Sequence, residues 1–292
     1  MKRFLSLFIA ILMVFASLFT VSAEEVVTDK NAVLSALYEA DISTIREAID
    51  LKIISCEELT AYYLERIEKY NTPYNCFITL CDNAIEVAKQ RDEALSRGEN
   101  DGLLFGIPVV VKDNIDIKGL YTTNGHTLDK SKIADSNATV VNYLLEQGAV
   151  IIGKTNMSTD AQDARISYSE IKGQTKNAYN TLLAAGGSSG GTAVAVSLNF
   201  AVAGLGTDTN SSLRIPAVLN GCVSLRPTFD LVDRTGCTTL NSTRDVAGAI
   251  TRSVYDQAIM MDVLTNGQYK YTENLDKNAL NGLKIGILKE LS

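Results

Sequence analysis

The sequence predicts an α/β fold in which helices cover both faces of a β-sheet and further helices precede it. Two observations predict this class. Residues 31–100 carry apolar side chains at the three- and four-residue spacing of amphipathic helices, and after Pro108 short apolar, β-branched runs alternate with helical segments. Because strands that are apolar along their whole length are buried on both sides, the sheet needs helices on each face.

Three helical segments are predicted before the sheet, at 34–51, 55–71 and 83–98. Ser55, followed three positions later by Glu58, forms the pattern of a capping box at the start of the second segment. We expect these helices to cover a core, and we assign no chemistry to them.

The remainder of the chain alternates strands with helices. Short apolar runs at 109–111 and 149–153 predict strands, with a helix at 137–148 between them. The segments 198–208 and 283–288 predict two more strands. Strands and helices that alternate in this way are typical of one major α/β domain.

Residues 1–23 have the pattern of a secretory signal peptide. Lys2 and Arg3 precede an apolar run from Phe4 to Phe19, and small residues follow it. The pattern predicts export, with a mature domain over 24–292. The alternative is an uncleaved segment that anchors the protein in a membrane.

The chain is acidic, with a formal net charge of −7, and removal of the signal peptide would take away two more positive charges. A protein that binds nucleic acid must neutralise phosphates, so this balance, without a Lys/Arg cluster, predicts no nucleic-acid partner. We also expect no stable membrane association after signal cleavage. The oligomeric state is left open.

The residue types of this chain give little support to a metal site or a cofactor site. The chain has one histidine, His126, and five widely spaced cysteines, an odd number that fits neither a zinc ribbon nor a dense disulfide framework. The "GGSSGG" segment lacks the Gly-Lys-Ser/Thr of a phosphate loop. We therefore predict no cofactor and no metal, and at least one thiol that is unpaired or pairs between chains.

The glycine-rich segment holds a serine in a G-x-S-x-G pattern, which nominates Ser189 as the nucleophile of an α/β-hydrolase. Such enzymes need a histidine after the serine, whereas His126 precedes it. A lysine base is the alternative, provided that burial keeps the amine neutral. Lys112, at the end of "GIPVVVK", is the candidate, although a lysine at a strand end more commonly reaches solvent.

Six blocks resemble the amidase signature family: "GIPVVVKDN", "GAVIIGKTNMS", "GGSSGG", "GTDTNSSLRIPA", "SLRPT" and "ITRSVYDQAIMMDVL". They occur in the family's order, from about residue 40 to the C-terminus. The resemblance implies a mixed sheet wrapped by helices, a small-molecule amide substrate, and hydrolysis of a carboxamide C–N bond by a Ser-cis-Ser-Lys triad.

Position by position, the resemblance implies that Ser212 is the nucleophile, Ser188 the bridging serine beside a cis peptide bond, and Lys112 the base. Asp208 and Arg214 are expected to hold the loop rather than take part in the chemistry. The implied oxyanion hole consists of the backbone N–H groups of Thr209, Asn210, Ser211 and Ser212.

Three positions differ from the family pattern. Asn210 and Ser211 stand where the family usually has Gly-Gly, and serine tolerates a positive φ poorly, so we expect a shifted turn there. Thr159 replaces the usual glutamate after "NMS". Family members also continue beyond a strand such as 283–288, so we expect a domain that is incomplete at its C-terminus.

These differences keep two alternatives open. One is a catalytically impaired, amidase-like binding protein. The other, ranked lower because of the export signal and the acidic charge, is an amidotransferase-type subunit. The leading hypothesis is an exported amidase that forms an acyl-enzyme on Ser212.

Overall fold

The computed structural model describes residues 30–128 and 131–286, so the signal peptide predicted at 1–23 lies outside the described residues. The helices within the described ranges have these bounds: α1 Lys30–Ala36, α2 Ile42–Asp50, α3 Cys56–Tyr70, α4 Ala84–Ser96, α5 Thr139–Glu146, α6 Gly190–Ser197, α7 Arg214–Leu219 and α8 Val254–Leu264. Of these helices, not one combines the length and the apolar character that crossing a membrane requires.

The strands have these bounds: β1 Phe77–Leu80, β2 Pro108–Lys112, β3 Tyr121–Thr122, β4 Lys132–Ile133, β5 Val150–Thr155, β6 Tyr168–Ser169, β7 Gly173–Gln174, β8 Ala203–Asp208, β9 Val223–Ser224 and β10 Val246–Thr251. Six of them form the main sheet, in the order β1-β5-β2-β8-β10-β9. The pairs β3–β4 and β6–β7 form two small sheets of their own.

The main sheet is mixed, which confirms the predicted fold class. Strand β2 runs parallel to β5 and β8, whereas β1 is antiparallel to β5 and β10 is antiparallel to β8. Every residue of β2, β5, β8 and β10 is buried. A strand buried at consecutive positions is covered on both faces, because successive side chains point to opposite sides.

The helical predictions are correct except at one position. The capping box at the start of α3 is present: Glu58 N–H donates to Ser55 Oγ at 3.0 Å, and Ser55 N–H donates to the Glu58 carboxylate at 3.1 Å. The single helix predicted at 34–51 is wrong, because α1 ends at Ala36 and α2 starts after Asp41. Asp41 is extended and caps α2, which keeps the two helices separate.

Two strand predictions need correction. The strand predicted at 198–208 comprises only β8, because residues 198–202 form the turn between α6 and β8. Residues 283–286 of the strand predicted at 283–288 are not in a strand, and 287–288 lie outside the described residues. Strand β10 was not predicted, since "VAGAIT" is short and made largely of small residues.

Candidate active site

The parallel strands β2, β5 and β8 end at the same edge of the sheet, and Lys112 is the last residue of β2. Its side chain is fully buried. The Nζ atom donates hydrogen bonds to Ser188 Oγ at 2.6 Å and to Thr207 Oγ1 at 2.7 Å. The lysine predicted to end a buried strand therefore does not reach solvent, and it contacts the predicted bridging serine.

The surroundings of Lys112 favour its neutral form. Burial lowers the pKa of the amine from 10.5 to about 7, and the negative charges of Asp208 and Asp245 oppose this shift. Only a neutral amine has a lone pair that can accept a proton. At pH values near 7 a large fraction of the molecules would therefore carry a lysine able to act as a base.

The Ser188 turn is built from close backbone contacts. The Gly187–Ser188 peptide bond is cis, as the resemblance implies. Gly187 N–H donates to the carbonyl of Ala164 at 2.8 Å, and a side chain at Gly187 would collide with the carbonyl oxygens of Asp163 and Ile166. The glycine is needed because the two backbones approach so closely at this point.

The two serine pairs lie next to each other. Ser189 N–H donates to the carbonyl of Ser212 at 3.2 Å, which joins the glycine-rich turn to the chain before α7. The Ser189 hydroxyl donates to the carbonyl of Thr207 at 3.2 Å and accepts from its N–H at 3.3 Å. Ser189 thus ties its turn to β8. The Ser212 side chain, by contrast, makes no hydrogen bond within the part of the chain that the structure describes.

Residues 209–212 form a turn between β8 and α7, here called the 209–212 turn. Its backbone N–H groups donate no hydrogen bond to any described residue. Neither Asn210 nor Ser211 has a positive φ. The expected shift of this turn relative to relatives with Gly-Gly stays a prediction. The turn follows a backbone path that a serine adopts without strain.

Asp208 holds the far side of this turn. Its carboxylate accepts from Leu213 N–H at 3.1 Å and from Arg214 Nε at 3.2 Å, and Arg226 contributes a second guanidinium at 3.1 Å. Arg214 also donates to the carbonyl of Asn210. These contacts agree with the expectation that Asp208 and Arg214 hold the loop.

The segment around Thr159 supports the Ser188 turn from another side. Ser158 N–H donates to the carbonyl of Ser188 at 3.3 Å. His126 contacts this segment rather than a serine, with Nε2 2.9 Å from Asp160 Oδ1 and Nδ1 3.3 Å from Glu170 Oε2. The hydrogen bond to Asp160 is the main cause of a raised pKa for His126. These contacts make His126 part of the loop framework.

A cavity of about 770 Å³ lies away from these residues, beside the 230–235 loop, and neither Lys112, Ser188 nor Ser212 lines it. Within 30–128 and 131–286, no group of three or more His, Cys, Asp or Glu side chains could hold a metal ion. All five cysteines are free thiols.

Sequence reasoning missed three residues around the site. Thr207 accepts from both Lys112 and Asn114, whose Nδ2 lies 3.0 Å from Thr207 Oγ1. Asp245 accepts from the hydroxyl of Thr209 at 2.5 Å. Thr207 and Asn114 each lie within a block that resembles the family, but their contacts depend on the pairing of strands that are distant in sequence.

Comparisons with known proteins show which family this chain resembles. The family model Amidase matches residues 58–292. The A subunit of glutamyl-tRNA(Gln) amidotransferase from Thermoanaerobacter pseudethanolicus is 38% identical over 266 residues, which cover 87% of this chain and 54% of the relative.

Two solved structures share the fold. Native peptide amidase from Stenotrophomonas maltophilia is 33% identical with a TM-score of 0.76, over 84% of this chain and 52% of that chain. An amidase family protein from Bacillus anthracis str. Ames is 35% identical with a TM-score of 0.76, over 81% of this chain and 51% of that chain. The chain spans about half the length of the curated relatives it matches.

Proposed function

We propose that this chain, which belongs to the amidase signature family, hydrolyses the C–N bond of a carboxamide through an acyl-enzyme on Ser212. The observation that carries the proposal is the 2.6 Å contact between the buried amine of Lys112 and Ser188 Oγ. The adjacent residue, Ser189, joins the Ser188 turn to Ser212 by a backbone hydrogen bond of 3.2 Å, and the N–H groups of the 209–212 turn have no partner among the described residues. These residues supply a base, a relay, a nucleophile and candidate oxyanion donors for the proposed reaction.

The chemistry would proceed in two halves. Neutral Lys112 accepts the Ser188 proton while Ser188 accepts the Ser212 proton, and Ser212 Oγ attacks the amide carbonyl. The N–H groups of the 209–212 turn donate to the oxyanion, at about 3 kcal/mol of barrier for each donor. The same relay protonates the departing ammonia or amine as the C–N bond breaks. Water then adds to the acyl carbon, and Ser212 leaves as the alcohol.

Acylation of the purified protein tests this proposal. We expect a fluorophosphonate to label Ser212, a panel of primary and aryl amides to contain a substrate, and Ser212→Ala to abolish both activities. Ser189→Ala is the matched control, because it removes the neighbouring hydroxyl and should keep measurable labelling. Turnover that persists in Ser212→Ala, or wild-type protein that is neither labelled nor active, would contradict the proposal.

A second test distinguishes an active amidase from a catalytically impaired, amidase-like binding protein. Asn210→Gly/Ser211→Gly restores the usual family residues in the 209–212 turn. Since neither position needs a positive φ, we expect amidase activity before the change and little gain after it. Hydrolysis that appears only in the double variant would favour the impaired protein.

An amidotransferase-type subunit is the second candidate function. It is supported by the 38% identity to relatives named as the A subunit of glutamyl-tRNA(Gln) amidotransferase. The net charge of −7 gives no support to tRNA binding by this chain itself, so a partner would have to bind the tRNA. Amide transfer to glutamyl-tRNA(Gln), measured with and without co-purified partner subunits, separates this function from free amide hydrolysis.

We further propose that residues 1–23 direct the protein out of the cytoplasm, on the basis of their sequence pattern alone. N-terminal sequencing of protein recovered from cell fractions tests this. An N-terminus near residue 24 in the exported fraction supports cleavage, whereas an intact N-terminus in the membrane fraction indicates an anchor. Recovery from the cytoplasm alone would favour the amidotransferase-type subunit.

A further inference from the structure

The carboxylate of Asp245 joins two segments beside the 209–212 turn. Its Oδ1 accepts from the Thr209 hydroxyl at 2.5 Å. Its Oδ2 accepts from the N–H groups of Leu240 and Asn241 at 2.7 and 2.8 Å. Asp245 is almost fully buried, so water competes weakly for these bonds. A single carboxylate thus holds the first residue of the turn against the 240–241 segment.

The sheet explains why these two residues meet. Strands β8 and β10 pair antiparallel with Val246 opposite Asp208, so the same register places Asp245 opposite Thr209. Residues opposite each other on an antiparallel pair project to the same face and contact one another. The hydrogen bond therefore lies one residue beyond the end of the ladder, where β8 turns toward Ser212.

We propose that Asp245 is a positioning residue that fixes the orientation of the 209–212 N–H groups through the hydroxyl of Thr209. This inference rests on the proposed function, because those N–H groups are the implied oxyanion donors. Asp208 already fixes the end of the turn at Leu213 and Arg214. Asp245 fixes its beginning, so the turn is held at both ends by separate carboxylates.

The charge of Asp245 should also affect Lys112, which a contact that only holds the turn in place would not do. Its negative charge raises the pKa of Lys112, against the larger effect of burial. Removing that charge should therefore move the acid limb of the pH–rate profile to lower pH. Removing only the Thr209 hydroxyl keeps the charge and should leave that limb in place.

Hydrogen exchange tests the positioning role without requiring activity. A peptide covering 209–215 contains the Leu213 amide, which is bonded to Asp208. We expect this peptide to exchange about tenfold or more faster in Thr209→Val and in Asp245→Asn, and no faster in the double variant than in Asp245→Asn. Thr209→Ser keeps the hydroxyl and should keep the protection. Unchanged exchange in both single variants would overturn the proposal.

Kinetics then test the consequence for the reaction. Because the 209–212 N–H groups would act on the oxyanion, both single variants should lower kcat about 10- to 100-fold with little change in KM. Asp230→Asn is the control, since it removes an exposed carboxylate that pairs only locally with Arg234. A rise in KM at constant kcat would contradict positioning. Absence of Ser212-dependent turnover in the wild type defeats the proposed function, while the exchange result still decides the role of Asp245.

Discussion

Two buried lysines, Lys112 in β2 and Lys154 in β5, lie on neighbouring strands one register position apart. Their hydrogen-bond and charge partners differ. Val111 lies opposite Lys154, and Lys112 lies opposite Thr155, so the two lysine side chains project to opposite faces of the sheet. Both side chains are fully buried. Lys154 Nζ lies 3.2 Å from Asp113 Oδ1, whereas the hydrogen-bond partners of Lys112 among the described residues are hydroxyls.

The difference shows that partners, rather than burial, separate a structural lysine from a candidate base. Burial lowers the pKa of both amines, but at Lys154 an adjacent carboxylate opposes the shift directly. Lys154 also donates to the carbonyl of Tyr121 and the hydroxyl of Thr122, so its ammonium form is solvated by the protein. Of these two lysines, Lys112 is the one whose amine has no carboxylate in direct contact to favour its charged form.

The largest expected effect is the loss of activity on replacing Lys112. Lys112→Met removes the proton acceptor while keeping a similar apolar stem, so the rate of Ser212 acylation should fall about 10²- to 10⁴-fold. The rate of fluorophosphonate labelling measures it. Because no carboxylate loses an ion-pair partner, the thermal unfolding midpoint should change far less than in Lys154→Met. Labelling at the wild-type rate would remove Lys112 from the mechanism.

The next effect should be on stability, at the other lysine. Lys154→Met leaves the buried Asp113 charge without its partner, and we expect a loss of about 3–5 kcal/mol in the free energy of unfolding. Adding Asp113→Asn removes the charge but keeps an acceptor for Thr123 N–H, so it should restore much of that loss. Denaturant titration of both variants measures these changes in the free energy of unfolding. A Lys154→Met variant as stable as the wild type would show that the pair contributes nothing.

The pH dependence of activity and of stability should also report the protonation of Lys112. Activity should rise with pH through about 7, as Lys112 loses its proton. The unfolded chain keeps that proton up to about 10.5, so between these values the unfolded state binds more protons and stability rises with pH. Lys112→Met should flatten this part of the stability curve, as measured by unfolding at a series of pH values. A slope that persists in the variant would assign it to another group.

The sequence is sufficient for the parts of the site that lie within single motifs. The apolar run before Lys112 predicts a buried strand. The one histidine of the chain precedes Ser189, and this alone argues against Ser189 as the nucleophile. The contacts of Asp245 and Thr207 could not be predicted, because they depend on the register between β8 and the unpredicted strand β10 or on the pairing of β8 with β2.

The turn at Asn210 and Ser211 shows what a motif leaves open. Glycine, the residue usually found there in the family, adopts a positive φ that serine tolerates poorly. Neither residue has a positive φ here, so the turn of this chain does not use the left-handed backbone that Gly-Gly would permit. A motif indicates which residue occurs, but not which of its properties the fold uses.

The smallest expected effect comes from the second hydroxyl beside Lys112. Thr207→Val removes one hydrogen-bond partner of Nζ while leaving Ser188 in place, so we expect acylation to slow by about five- to tenfold. Thr155→Val, which removes a buried hydroxyl bonded to Thr192 instead, is the matched control. Equal effects of the two variants on labelling would mean that the loss reflects packing rather than the environment of the lysine.

The protonation state of Lys112 is the central claim, and it can be measured directly. In protein labelled with carbon-13 at the lysine Cε positions, the signal missing from Lys112→Met identifies this residue, and its chemical shift can be followed from about pH 5 to about pH 11, a range that brackets both protonation states. We predict a titration midpoint near 7, well below the ordinary value of 10.5. A midpoint near 10.5 would mean that the amine is charged under working conditions and cannot be the base.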